Sequence, residues 1–192
     1  MLGLLIPRGG NAFLGENGAA LRRVELGLGW DTGGRDIDLD ASIFLLTQHG
    51  RVRNDDDFVF YHAPVSSCRS VKHHGDSKGG GSGGDDELIS VDLERVPREI
   101  QRLAVTVTIH SEPGGRSNRF ADLRSAYVRV SNEETRSEIL RFQLDSSFGQ
   151  ETALIFSELY RHQDGWKFRA VGQGFVGGLR ALCGHFGVVV DD

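Results

Sequence analysis

At 192 residues the chain has the length of one large domain, or of one domain with an appendage, and it can bury a sizeable core. Hydrophobic residues make up 39% and charged residues 26%, which sets aside wholesale disorder, collagen and coiled coil. The net charge is −5, and between Asp31 and Asp92 eleven Asp and one Glu stand against six Lys or Arg, so the whole acidic surplus sits in that third. Such a distribution argues against a nucleic-acid partner, which would require a basic face, and for a cation.

In chain order, Leu2–Ile6 has no base before it and is stopped by Pro7-Arg8, unlike a secretory leader, and no apolar run is long enough to span a membrane. The expected location is the cytoplasm. Period-two alternation then dominates: Val24, Leu26, Leu28 and Trp30 alternate with Arg23, Glu25 and glycines. Further strands are predicted over Ser42–Thr47, Phe58–His62, Leu88–Leu93, Leu103–His110, Ala126–Ser131 and Glu138–Leu144. A short helical turn is predicted after Pro97, over Arg98–Arg102, because proline suits a first helical position and no breaker follows. Leu154–Gln163 and Trp166–Val171 flank Asp164-Gly165, a pair suited to a type I′ hairpin turn. Helical period appears at Leu179, Leu182, Cys183 and Phe186, with Gly187 as the stop. The predicted fold is a single-domain, mainly β sandwich of two antiparallel sheets with short helices, one of them C-terminal.

Asp36, Asp38 and Asp40 occupy alternate positions, so an extended chain projects all three carboxylates from one face, with neighbours about 7 Å apart. Their mutual repulsion needs an offset, which a hard cation supplies. Calcium, with six to eight oxygen ligands in forgiving geometry, suits them better than magnesium. A second acidic group brackets a glycine tract: Gly75-Asp76-Ser77-Lys78, then Gly79–Gly84, then Asp85-Asp86-Glu87. With Asp31 these residues form the candidate metal site. It is not an EF-hand, because counting from Asp36 puts Ala41 and Thr47 where glycine and glutamate belong. Asp55-Asp56-Asp57 reads as a solvated turn leading into a strand.

Other patterns carry less. The glycine tract matches nucleophile-elbow and phosphate-loop spellings but lacks the strand-to-helix context, and Asp85 and Asp86 would repel a phosphate. Gly172–Gly177 spells a dinucleotide fingerprint, yet the strand before it belongs to a hairpin. His73-His74 and His110 read as hydrogen-bonded histidines, and Cys68 and Cys183 as buried free thiols. Arginines outnumber lysines nineteen to three but are scattered along the chain, so no phosphate-binding groove is expected. No catalytic constellation is visible.

Gly27-Leu28-Gly29-Trp30-Asp31, Asp36 to Ser42, Gly75-Asp76 with the tract closed by Asp85-Asp86-Glu87, Val107-Thr108-Ile109-His110, and Glu158-Leu159-Tyr160-Arg161 with Trp166 to Gly174 together resemble the TerD family of tellurium-resistance and stress proteins. Arg8-Gly9-Gly10-Asn11 also looks like that family's start. The resemblance implies a non-catalytic β-sandwich that binds one or two calcium ions and acts as a binding or signalling module in resistance to tellurite and other stresses. It implies a cytoplasmic protein, peripheral to the inner face of the membrane in complexes with other tellurium-resistance proteins. By position it implies Asp31, Asp38, Asp40, Asp76, Asp85, Asp86 and Glu87 as ligands, with Asp36 and Ser77 beside them. Ser77 stands where that family usually has Asn, and Gly83 where a further acid often sits, so weaker calcium binding is expected. The rival expectation is a hydrolase or nucleotide-binding enzyme using the same acids with Mg²⁺ or Mn²⁺. A second rival is an assembly domain with a merely solvated acidic loop.

Overall fold

The computed structural model describes residues 3–76, 84–110, 117–145, 147–163 and 165–190, with Asp76 described by its backbone. The strands are β1 (Leu4–Leu5), β2 (Asn11–Phe13), β3 (Gly15–Glu16), β4 (Ala19–Ala20), β5 (Arg23–Asp31), β6 (Leu39–Thr47), β7 (Phe58–Val59), β8 (Val71–Asp76), β9 (Glu87–Asp92), β10 (Ile100–Ile109), β11 (Ser125–Asn132), β12 (Glu138–Gln143), β13 (Ala153–His162) and β14 (Gly165–Phe175), followed by helix α1 (Gly178–Phe186). Two six-stranded sheets result, in the orders β1-β12-β11-β5-β9-β8 and β2-β14-β13-β10-β6-β7, and β3-β4 forms a small hairpin. Pairing is antiparallel except between β1 and β12.

Alternation explains the packing. Val24, Leu26 and Leu28 of β5, Ile89 and Val91 of β9, and Val128 and Val130 of β11 turn inward to meet Leu103, Val105 and Val107 of β10 and Phe156 and Phe168 of the other sheet. β6 is buried on both faces, which is why Ser42–Leu46 reads as a continuous apolar run rather than an alternating one. Its outer side carries Phe44 and Leu46 into a second cluster with Phe58, Leu182, Cys183 and Phe186, so α1 covers that sheet with its apolar stripe. Gly187, at φ 85°, closes α1, its N–H donating to the Cys183 carbonyl at 2.8 Å.

Four expectations give way. Arg98–Arg102 is not helical: the Ile100 N–H closes a turn on the Pro97 carbonyl, and β10 begins there because Arg102 pairs with both Leu46 and Tyr160. Pairing on two sides outweighs a weak local propensity. The hairpin turn lies one residue earlier than Asp164-Gly165, since Gly165 already pairs with His162 and Gln163 takes φ 52°; Asp164 falls outside the described residues. Phe58–His62 yields only two strand residues, after which Phe60 bridges to Ala63 across a turn. Asp55–Asp57 forms a 3₁₀ turn capped by Asn54, and Asp57 is fully buried, gripped by the Arg53 guanidinium at 2.7 and 2.8 Å, so the triplet is solvated only in part.

Phe156 is fully buried and meets Phe142 edge to face at 5.6 Å across the sandwich. Phe156→Ala is expected to cost about 3–5 kcal/mol in urea-unfolding measurements.

Candidate metal site

Strand direction gathers the acids. The last residues of β5 and β8 and the first of β6 and β9 stand at one end of the sandwich, because Leu28 pairs with Glu87, Asp76 with Glu87, and Asp40 with Thr108 near the end of β10. The two sheets are tied there by Glu87 of β9, whose Oε1 accepts from the Ala41 N–H of β6 at 3.5 Å. Ile37 and Leu39 are buried while Asp36 and Asp38 are exposed and Asp40 is half-buried, so the Asp36-Asp38-Asp40 row keeps the alternation read from the sequence, although only Asp40 lies within a strand. Main-chain bonds pin this row: the Asp36 carbonyl accepts from the Asn118 amide at 3.1 Å and the Asp38 carbonyl from the His110 N–H at 2.9 Å.

The three consecutive acids at the start of β9 have separate fates. Asp85 lies on the outer face of its sheet, bound by the Arg129 guanidinium and by the Tyr127 hydroxyl at 2.9 Å. The space it occupies exists because residue 27 is glycine: a Cβ there would stand 2.1 Å from Asp85 Oδ2. Burial, and next the Asp85 charge, push the Tyr127 phenol up to about 12. Asp86 accepts from the Trp30 N–H at 2.8 Å, and burial holds its carboxyl above the usual aspartate range, with the Asp85 charge adding to the effect. Glu87 points into the core at 1% exposure.

His73 of β8 lies against Glu87, its Nε2 3.2 Å from Oε2 and 3.1 Å from the Ala41 carbonyl. The Gly75 N–H can only donate, so His73 Nδ1 accepts it at 2.9 Å and Nε2 carries the proton. Both ring nitrogens therefore serve the fold, and His74 bonds Ser90 at 2.8 Å, in keeping with the hydrogen-bonded reading of this pair. Sequence reasoning missed His73 as the partner of Glu87, because β8 carries no apolar alternation to reveal its inward face.

Charge compensation is uneven. Asp85 has Arg129, and Arg35, the base beside the aspartate row, pairs instead with Asp122 at 2.9 Å. Among the described residues, Asp31, Asp36, Asp38 and Asp86 form no ion pair. Among the described residues the Asp31 carboxylate accepts only from the Gly33 N–H, at 2.7 Å. Among the described residues no three acids, histidines or cysteines already stand close enough to hold an ion. The side chain of Asp76, and Ser77 and Gly83, lie outside the description. The donors present, carboxylates and carbonyls, are the hard oxygen type that calcium takes, and the unfavourable burial of the Asp86 charge is the kind of penalty a cation relieves.

Residues 2–186 match the TerD domain family. The chain is 43% identical over 186 residues to the tellurium resistance protein TerD of Serratia marcescens, covering 95% of this chain and 96% of that protein. It is 41% identical over 189 residues to general stress protein 16U of Bacillus subtilis, covering 96% and 97%. In structure it is similar to a homologue of telluride resistance protein (TerD) from Streptomyces coelicolor, with a TM-score of 0.65 at 26% identity over 84% of this chain and 95% of that one.

Gly27→Ala should displace the Asp85 carboxylate from Arg129. The expected loss is about 1–3 kcal/mol of stability in urea unfolding, with a smaller additional loss when Asp85→Ala is already in place.

Proposed function

The chain belongs to the TerD family, and on that premise we propose that it is a non-catalytic calcium-binding module of the tellurium-resistance and general stress response. The observation that supports this reading is the set of carboxylates at one end of the sandwich that form no ion pair among the described residues, Asp31, Asp38 and Asp86 foremost, beside Asp40. Asp31, Asp38, Asp40 and Asp86 are the proposed ligands. Asp36 and the Asp76 position flank them, and Glu87 adds negative potential from behind. Asp85 positions the start of β9 through Arg129 rather than binding the ion. Calcium supplies charge neutralisation and a multidentate oxygen shell; the chain supplies the row of donors held by β5, β6 and β9.

Neutralising these acids changes the surface that this end offers to other proteins, so the ion acts as a switch for association rather than as a reagent. Other tellurium-resistance proteins, assembled in the cytoplasm at the inner face of the membrane, are the proposed partners. Among the described residues no helix is long and apolar enough to cross a membrane.

Chelator-stripped protein should melt at a lower temperature than protein with Ca²⁺ at a hundred times its dissociation constant. Such saturation adds about 2.7 kcal/mol, or about 5–10 °C in a chain of this size. Equimolar Mg²⁺ should do much less. Equal melting with and without either metal would overturn the proposal, and Mg²⁺-dependent turnover of a phosphate ester would replace it with an enzyme.

A further inference from the structure

The end of the sandwich opposite this acidic site gathers three arginines around one cavity. Arg22 precedes β5, Arg98 lies in the turn before β10, and Arg161 sits near the end of β13, far apart in sequence, yet all three line one cavity of about 640 Å³ with Gln101 and Trp166. The scatter of arginines along the chain had spoken against a phosphate-binding groove; antiparallel pairing removes that objection by bringing the starts of β5, β10 and β14 to the same end as the close of β13. Among the described lining residues Glu94 is the sole acid, and it meets Arg22 at 3.3 Å in a largely exposed pair that holds it weakly. Arg98 and Arg161 form no ion pair among the described residues.

Arg161 is built in. Its Nε donates to the Ile100 carbonyl at 2.9 Å and its Nη2 to the Val96 and Pro97 carbonyls at 2.8 and 3.1 Å, while its plane lies over the Trp166 ring at 4.5 Å. Its Nη1 has no acceptor among the described residues, and no carboxylate pairs with it. Burial, and next the Arg98 charge, lower the Arg161 pKa, which marks the pocket as one where positive charge is unfavourable until an anion arrives. Arg98 is exposed and forms no ion pair among the described residues, and its own carbonyl accepts from the Gln101 amide at 2.7 Å, which fixes the turn that carries it. One guanidinium is thus immobilised and one is free to close on a ligand, an arrangement that lowers the ordering cost of binding.

We propose that this cavity is a binding site for a phosphate-bearing anion, with Arg161 as the fixed contact and Arg98 as the closing one. Two guanidinium groups without an ion pair among the described residues match a dianion better than a carboxylate, and their forked donors fit tetrahedral phosphate oxygens. The phosphate belongs either to a free metabolite or to a lipid headgroup. This site is separate from the acidic end and does not depend on calcium.

The test is calorimetric titration of chelator-treated protein with pyrophosphate at constant ionic strength, so that no anion is carried in by a metal, with Trp166 fluorescence reporting the location. Saturable binding is expected, weakened at least about tenfold by Arg98→Glu, a change at an exposed side chain without a structural partner. Arg161→Gln should abolish it, but Arg98→Glu decides if that variant fails to fold. If pyrophosphate gives no heat, sedimentation with phosphatidylglycerol vesicles against phosphatidylcholine vesicles tests the headgroup: binding that Arg98→Glu removes supports the site and assigns it to lipid. No binding in either arm, or equal binding by the wild type and Arg98→Glu, overturns the proposal.

Discussion

Everything at the two ends of this molecule depends on strand register. Side chains alternate across a strand, so a slip of β9 by one residue against β5 would turn Ile89 and Val91 to solvent. The apolar alternation therefore holds the register, and the register in turn assigns the charged residues. Because Ile89 and Val91 must face inward, Glu87 faces inward as well, and the fold carries a carboxylate in a position that the sandwich core would give to an apolar residue. The His73 imidazole and the Ala41 N–H at its oxygens make that position tolerable, and they clamp the two sheets together where β6 and β9 begin.

The same pairing separates charge along the sandwich. Acids collect where β5 and β8 end and β6 and β9 begin; arginines collect where β13 ends and β5, β10 and β14 begin. Elsewhere charges are matched in pairs such as Arg141–Glu138 and Arg53–Asp57. These two clusters at opposite ends are the basis of the two proposed ionic partners, a cation at one and an anion at the other.

Much of the fold was legible in residue order, for a physical reason: β5, β9, β11 and β12 are half-buried strands and show period two, while α1 is a surface helix and shows its stripe. What stayed hidden was set by partners rather than by local pattern. β8 reads Lys72-His73-His74-Gly75, with no apolar alternation, and exists because β9 pairs with it. The short strands β1 and β2 are edges whose partners, β12 and β14, lie far along the chain. In the acidic region the residue types and the alternation of Asp36, Asp38 and Asp40 were readable. The division of labour among Asp85, Asp86 and Glu87 was not, because adjacent acids differ only through what the fold sets beside them: Arg129 and Tyr127, the Trp30 N–H, and His73. Arg22, Arg98 and Arg161 were invisible as a group for the same reason.

Calcium at the acidic end is the proposal on which the functional reading rests. Equilibrium dialysis of chelator-stripped protein against radioactive calcium, for the wild type and for a variant carrying Asp40→Asn with Asp86→Asn, tests it most directly. One or two ions per wild-type chain are expected, with a loss of at least one in the variant at unchanged circular dichroism. Absence of saturable calcium in the wild type, or equal binding by the two proteins, would contradict it.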